Sequence, residues 1–194
     1  MLRPGFTDPV HEAQGIFRAV LDALARPGTI QSVAAGLNPP APLTPELAAV
    51  ALALTDGDTP VWLDPALAAA PDVAAYLRFH TGAPLTDDPA RAAFALVRDT
   101  ARCPPLAEFA QGVPAYPDTS TTLVLAFEAI EAGLGLRLAG PGIRGTADLA
   151  VSPLPPRWPQ DLRANHDGFP LGVDLILTAP GRLAGLPRST ALEA

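Results

Sequence analysis

The chain has 194 residues, a formal net charge of −7, 48% apolar residues and 17% charged residues, which is typical of one globular domain spanning residues 1–194. The absence of a basic block argues against a nucleic-acid partner, and no apolar run approaches the roughly 18 residues of a membrane span. The first five residues lack the apolar stretch of a signal peptide and Cys103 is the single cysteine, so we expect no disulfide and a cytoplasmic location.

Helices dominate the first half of the predicted fold. Apolar spacing predicts a helix that begins at Pro9, with Asp8 as its N-cap, and ends before Gly28. A second helix, capped by Thr44, is apolar on every face over 47–54, which predicts deep burial. A third helix over 71–79 places Phe79 among its inward-facing residues. Short elements complete this half: strands over 29–33 and 59–63, a helical turn over 64–69 and a flexible loop over 37–42.

Strands dominate the second half. The β-branched and apolar run over 121–127 is typical of a central strand. The other elements that we predict are strands over 92–97, 134–139, 173–178 and 183–186, and helices over 106–110 and 158–164. The order of elements predicts an α/β fold, a single domain with one mixed sheet flanked by helices.

The chain has no lysine, since all 13 of its basic residues are arginine. It therefore cannot form a Schiff base with pyridoxal phosphate, nor can it have a Walker-type phosphate loop. The three histidines, His11, His80 and His166, do not have the spacing of metal ligands. The sequence predicts neither a cofactor nor a metal, and the catalytic residues stay unassigned.

Five residues are candidates for binding a ligand. Arg78 and His80 close the 71–79 helix before Gly82, where the helix dipole also favours basic groups for purely structural reasons. Arg144 follows a Gly-Pro-Gly turn at 140–142, which we interpret as a tight turn rather than a phosphate cradle.

The other two candidates are Asp174 and Arg188. Asp174 interrupts an apolar strand, where a carboxylate needs a cationic partner, so a structural ion pair and a functional role both remain open. Arg188 follows the last predicted strand, and its guanidinium suits phosphate as well as carboxylate.

The chain resembles the PhnH family, whose members are subunits of the bacterial carbon–phosphorus lyase system. The resemblance includes Arg-Phe-His-Thr at 78–81, Phe-Pro-Leu-Gly-Val-Asp-Leu-Ile-Leu-Thr at 169–178 and Leu-Pro-Arg-Ser-Thr at 186–190. Shorter matches occur in the same order at 17–18, 26–28, 59–63, 83–84 and 136–143. The resemblance therefore spans nearly the whole chain.

This resemblance implies a role in phosphonate catabolism. It implies a subunit that acts with other carbon–phosphorus lyase subunits, which convert ATP and an alkylphosphonate to a ribose 1-phosphonate 5-triphosphate. It further implies a homodimer and a fold similar to the pyridoxal-phosphate-dependent transferases, reduced and without the cofactor. We expect the dimer also because apolar helices such as 47–54 need to be covered.

Two alternatives remain open. The chain could be a self-sufficient transferase that binds a nucleotide or a phosphonate, or a pure assembly scaffold without a ligand. The resemblance supplies no settled catalytic residue, and we do not expect the chain to be catalytic alone.

Overall fold

The computed structural model describes residues 3–34 and 36–193. Its helices are α1 (Pro9–Ala25), α2 (Pro45–Leu54), α3 (Pro65–Ala68), α4 (Pro71–Thr81) and α5 (Trp158–Asp167). Its strands are β1 (Gln31–Ser32), β2 (Val61–Leu63), β3 (Leu85–Thr86), β4 (Phe94–Val97), β5 (Thr122–Ala126), β6 (Ala129–Ala139), β7 (Ala147–Ser152), β8 (Asp174–Ala179), β9 (Arg182–Leu186) and β10 (Ala191–Leu192).

A seven-stranded sheet with the order β1-β9-β8-β5-β4-β2-β3 forms the centre of the molecule. Strands β3, β2, β4, β5 and β8 run parallel to one another. Strand β9 is antiparallel to them, and β1, which is antiparallel to β9, runs in their direction again. The five parallel strands therefore end at one common edge, which we name the carboxyl edge, and begin at the opposite amino edge.

A second, antiparallel sheet has the order β10-β6-β7. The α/β class and the mixed sheet flanked by helices are confirmed, but the prediction that all strands join one sheet is wrong. Alternating apolar residues show that a segment is a strand with one buried face, and they do not show which layer the strand joins. Only the pairing of β6 with β7 and β10 separates the two sheets.

The central sheet is buried on both faces because consecutive residues of its strands point to opposite sides. In β5, Val124 packs with α1, α2 and α4, while Leu123 and Leu125 pack with α5 and the small sheet. A parallel strand covered on both faces reads as a continuous apolar run, and for this reason 121–127 was recognisable from sequence.

Short-range capping explains where the first two long helices begin. The Asp8 carboxylate accepts a hydrogen bond from the His11 amide at 3.2 Å, and the Thr44 hydroxyl accepts one from the Leu47 amide at 3.2 Å. Both helices have proline in the first turn, where no amide hydrogen is needed. Both predicted starts are confirmed.

One local prediction, the inward orientation of Phe79, is wrong. Phe79 is 71% exposed because the buried face of α4 consists of Val73, Tyr76 and Leu77, and position 79 falls on the opposite side of the helix. The segment over 37–42 is a loop, as predicted, and Leu37 anchors it in the hydrophobic core; its flexibility stays a prediction. Within residues 3–34 and 36–193, no helix is long and apolar enough to cross a membrane.

Candidate functional site

Asp174 and Arg188 form a half-buried ion pair at the amino edge of the sheet. The guanidinium Nη2 lies 2.6 Å from Asp174 Oδ2, and Nε donates to Asp174 Oδ1 at 3.1 Å. The Arg188 amide donates to the same Oδ1 at 2.9 Å. The two side chains are 24% and 12% exposed, respectively. The expectation that Asp174 needs a cationic partner is confirmed, and the partner is Arg188.

The sheet topology brings these two residues together. Asp174 is the first residue of β8, and Arg188 lies two residues beyond the end of β9. Strands β8 and β9 are antiparallel and Leu175 pairs with Leu186, so the end of one strand lies beside the start of the other. The pairing of Asp174 with Thr122 places the start of β5 at the same edge.

The Arg188 guanidinium is almost saturated with acceptors. Besides its bonds to Asp174, Nη1 donates to the Pro117 carbonyl at 2.7 Å and Nη2 donates to the Ser120 hydroxyl. A guanidinium has five N–H donors, and the described residues occupy four of them. Arg188 therefore joins three segments of the amino edge, and one N–H of Nη1 remains for a ligand.

A cleft of about 500 Å³ opens over this network; we name it the amino-edge cleft. Hydroxyl groups line part of it, and the apolar part of the wall includes Phe169 and Pro170. The polar side chains that line it are Asp118, Ser120, Thr122, Asp174, Arg188 and Ser189. The cleft offers hydroxyl donors, a neutralised ion pair and the Asp118 carboxylate, and its described lining has no histidine or cysteine.

Asn165 holds the wall of the amino-edge cleft in place. Its amide group donates to the Val173 carbonyl at 2.9 Å and accepts from the Val173 amide at 2.8 Å. Gly172 has a φ of +124°, and a Cβ there would lie 2.8 Å from Asn165 Oδ1. Glycine is therefore required at 172, where the chain passes close to α5 before it enters β8.

Arg78 and His80 lie elsewhere, at the carboxyl end of α4. His80 Nε2 is 3.0 Å from the Arg3 carbonyl oxygen, and its ring packs against Tyr76 with 4.5 Å between the centroids. A Cβ at Gly5 would lie 2.8 Å from His80 Nδ1. His80 therefore attaches the N-terminal segment to α4, while Arg78 is exposed.

Arg144 is exposed in the connection between β6 and β7. The preceding turn is closed by a hydrogen bond of 3.1 Å from the Ile143 amide to the Gly140 carbonyl, which confirms the interpretation as a tight turn. At Gly142, with a φ of +82°, a Cβ would overlap the Ala25 carbonyl oxygen at the end of α1. Close packing against α1 explains this glycine.

The structure thus brings together two of the five predicted residues. Asp174 and Arg188 share the amino-edge cleft, and among the described residues no hydrogen bond or ion pair joins either of them to Arg78, His80 or Arg144. A ligand role for each of the five stays a prediction.

A family model described as "Bacterial phosphonate metabolism protein (PhnH)" matches residues 4–193. The chain belongs to the PhnH family. It is 45% identical over 188 residues, 97% of this chain and 94% of the relative, to the "Alpha-D-ribose 1-methylphosphonate 5-triphosphate synthase subunit PhnH" of Rhizobium meliloti strain 1021. It is also 39% identical over 77 residues, 40% of each chain, to HtxG of Stutzerimonas stutzeri, which is named as a C-P lyase subunit protein.

Two further kinds of chemistry, metal binding and thiol reactivity, concern other residues of this PhnH family member. Within the described ranges, no group of three or more His, Cys, Asp or Glu residues could hold a metal ion. Burial raises the pKa of the Cys103 thiol to about 12, mainly through desolvation of the thiolate. Cys103 is therefore a neutral core residue.

Sequence reasoning did not single out Ser120 or Asn165, which build the amino-edge cleft of this PhnH protein. Ser120 is 68 residues from Arg188, its hydrogen-bond partner, and no spacing rule joins them. Asn165 lies on α5, where asparagine is an ordinary helix residue by sequence. It lies three residues after Leu162 and seven after Trp158, the other buried residues of α5, and this helical spacing is the signal that could have drawn attention to it.

Proposed function

We propose that this chain is a non-autonomous subunit of the enzyme that forms a ribose 1-phosphonate 5-triphosphate from ATP and an alkylphosphonate in phosphonate catabolism. The observation that carries the proposal is the 45% identity over 97% of the chain to a relative named as a subunit of that synthase. Its partners would be the other carbon–phosphorus lyase subunits.

The composition of the amino-edge cleft supports dependence on partners. Arg188 and Asp174 neutralise each other there, and hydroxyl groups account for much of the remaining polar lining. Hydroxyl donors and one residual guanidinium N–H can orient a phosphonate or triphosphate oxygen. The exposed Asp118 carboxylate makes no hydrogen bond, within the described residues, to a lining hydroxyl that it could activate as a nucleophile. We infer that the cleft positions a ligand, and that another subunit performs the chemistry.

A genetic experiment tests the subunit role. The gene for this chain is placed in Rhizobium meliloti that lacks its own PhnH relative, and growth is measured with methylphosphonate as the phosphorus source. Restored growth supports the proposal, and failure of a stably expressed chain to restore growth contradicts it. The purified chain, incubated with ATP and methylphosphonate and followed by phosphorus NMR, should give no product, whereas turnover would favour the self-sufficient transferase.

The scaffold alternative requires variants that fold normally. Arg78→Gln and Arg144→Gln change exposed side chains, and Ser189→Ala removes a hydroxyl from the amino-edge cleft. A complex that assembles but does not support growth would show a ligand-positioning role for the altered residue. Full growth of all these variants would favour the scaffold. Ser32→Ala, on the far edge strand β1, is the matched control for the hydroxyl.

We further propose a homodimer located in the cytoplasm, and a fold similar to a reduced pyridoxal-phosphate-dependent transferase. The reason offered from sequence for the dimer does not apply, because α2 is buried inside its own chain at 47–51. Support comes instead from Val10, Phe17 and Leu21, which are exposed and lie on one side of α1 at helical spacing. Light scattering that shows only a monomer at micromolar concentration would contradict the dimer.

A further inference from the structure

A second cleft lies at the carboxyl edge of the sheet, opposite the amino-edge cleft. The chain enters the parallel sheet at β2, adds β3 on one side, and then adds β4, β5 and β8 in turn on the other. The direction of winding therefore reverses between β2 and β4. In open α/β sheets, ligands bind beyond the carboxyl ends of the strands near such a reversal. The second cleft lies on the β4 side of it, beyond the carboxyl ends of β4, β5 and β8.

The cleft at this edge has two lobes, of about 430 and 330 Å³. Both lobes are lined by Arg98, Ala126 and Glu128, which makes them parts of one depression. The first lobe has an apolar floor that includes Phe127 and Ala179. We name the whole depression the carboxyl-edge cleft, and its size is that of a site for a small molecule.

A buried carboxylate shapes the carboxyl-edge cleft. Asp64 follows β2, is 1% exposed, and accepts hydrogen bonds from the amides of Arg98 and Asp99 at 2.8 Å each. Its other oxygen accepts from the Leu67 amide at 2.9 Å at the start of α3. Three bonds from two segments hold the loop after β4 in one position, which preorganises the side chains that this loop carries.

Two donors on this loop have no partner within the protein. Arg98 is exposed, and its guanidinium makes no hydrogen bond or ion pair with any described residue. Thr100 lines the second lobe and is only 5% exposed, yet its hydroxyl makes no hydrogen bond within residues 3–34 and 36–193. This hydroxyl is not one of the fully buried polar atoms that lack a partner, so it opens onto the cleft and can donate to a solvent or ligand oxygen.

Carboxylates surround these donors. Glu128 is exposed at the junction of the two lobes, and Asp99 lines the second lobe. Glu46 lines the first lobe, where one of its oxygens already accepts from the Gly181 amide at 2.9 Å. Three carboxylates near one guanidinium repel a polyanion, but they accept hydrogen bonds from hydroxyl groups. A fitting ligand therefore has one anionic group and several hydroxyls.

We propose that the carboxyl-edge cleft binds a phosphorylated pentose. Arg98 and Thr100 donate to the oxygens of one phosphate or phosphonate group, as guanidinium groups commonly do. Glu128 accepts from the sugar hydroxyls, in the way that carboxylates recognise ribose in dinucleotide sites. The sugar ring lies on the apolar floor. The choice of ribose as the pentose rests on the proposed function, whereas the anion and polyol chemistry rests on the cleft.

Titration calorimetry of the full-length chain with ribose 5-phosphate tests the proposal. We expect saturable binding, and binding of inorganic phosphate at least about tenfold weaker, because phosphate lacks the hydroxyls. Arg98→Gln should weaken the binding of ribose 5-phosphate at least about tenfold, since a charge-assisted hydrogen bond is lost. Thr100→Val should weaken it less. The control Arg91→Gln, an exposed arginine at the amino side of β4, should bind like the wild type.

Three results would overturn the proposal: no saturable binding, equal loss in Arg98→Gln and Arg91→Gln, or binding of inorganic phosphate as tight as that of ribose 5-phosphate. Thermal unfolding of each variant shows that it is folded. Growth of the complemented Rhizobium meliloti strain separates the two proposals. Growth without ribose 5-phosphate binding keeps the subunit role and rejects this site. Binding that depends on Arg98, in a chain that does not restore growth, keeps a sugar-phosphate site and rejects the subunit role.

Discussion

Removal of the Arg188 guanidinium tests the network at the amino edge most directly. Arg188→Met keeps much of the apolar length of the side chain and removes every donor of the guanidinium. Asp174 then retains only the hydrogen bond of 2.9 Å from the backbone amide of residue 188. The Pro117 carbonyl and the Ser120 hydroxyl each lose a donor. The variant therefore leaves a half-buried carboxylate without its counter-ion.

The magnitude follows from the burial of the pair. Breaking a fully buried ion pair from one side costs about 3–5 kcal/mol. Asp174 is 24% exposed, so water can hydrate part of its carboxylate, and we expect Arg188→Met to lower the free energy of unfolding by about 2–3 kcal/mol. Asp174→Asn retains an oxygen acceptor and should cost about 1–2 kcal/mol.

Urea denaturation of the two single variants and the double variant measures these values in a double-mutant cycle. The coupling between positions 174 and 188 should be about 1 kcal/mol or more, because the two groups contact each other directly. Arg91→Met, at an exposed position, is the control and should change stability by less than about 0.5 kcal/mol. A loss below about 0.5 kcal/mol for Arg188→Met, or no coupling, would refute the inference that this pair joins the amino edge.

Three further predictions concern other parts of the fold. Asp64→Ala should lower the free energy of unfolding, measured by urea denaturation, by about 2–4 kcal/mol because three amides lose their buried acceptor. The control Asp88→Ala removes one hydrogen bond from an exposed helix cap and should lower it by about 0.5–1 kcal/mol. Gly142→Ala should lower the melting temperature more than Gly145→Ala, since both have positive φ but only the first would overlap a neighbouring carbonyl oxygen; equal shifts would contradict this reasoning. Cys103 should react with a thiol reagent at pH 9 only after unfolding. With a pKa of about 12, roughly one native thiol in a thousand is ionised at that pH. Rapid labelling of the native protein would disprove the burial of Cys103.

The raised pKa of Cys103 also sets a direction for the dependence of stability on pH. The folded state holds the thiol proton more tightly than the unfolded state does, so the contribution of this group is fully present below pH 9.0. It is lost as the pH rises from 9.0 to about 12, because the unfolded chain then ionises first. Replacement of Cys103 by alanine should therefore reduce the alkaline loss of stability between those pH values.

Helix starts and strands that are set by residues close together in the chain could be predicted from the sequence. The caps at Asp8 and Thr44 act over three residues, and the apolar run of β5 reports burial on both faces. Strand β7 was not predicted, although Leu149 and Val151 alternate with Asp148, Ala150 and Ser152 as in a strand with one buried face. The orientation of Phe79 was predicted wrongly because an apolar residue was assigned to the core, although the spacing of Val73, Tyr76 and Leu77 places position 79 off the buried face of α4.

The candidate sites were predicted less well than the fold, for a physical reason. The sequence showed that a carboxylate at 174 within an apolar strand needs a partner, and the tertiary structure decided that Arg188 is that partner. No sequence pattern marked Arg98 or Thr100, since an arginine and a threonine after a strand are ordinary loop residues.

Local sequence alone determined the long helices, the central strand and the absence of any lysine-dependent chemistry, because these depend on residue type and on spacings of a few residues. Only the tertiary structure decided that there are two sheets and two opposite clefts. A cleft consists of side chains from strand ends that lie tens of residues apart in the chain, and the order and direction of the strands bring those ends together.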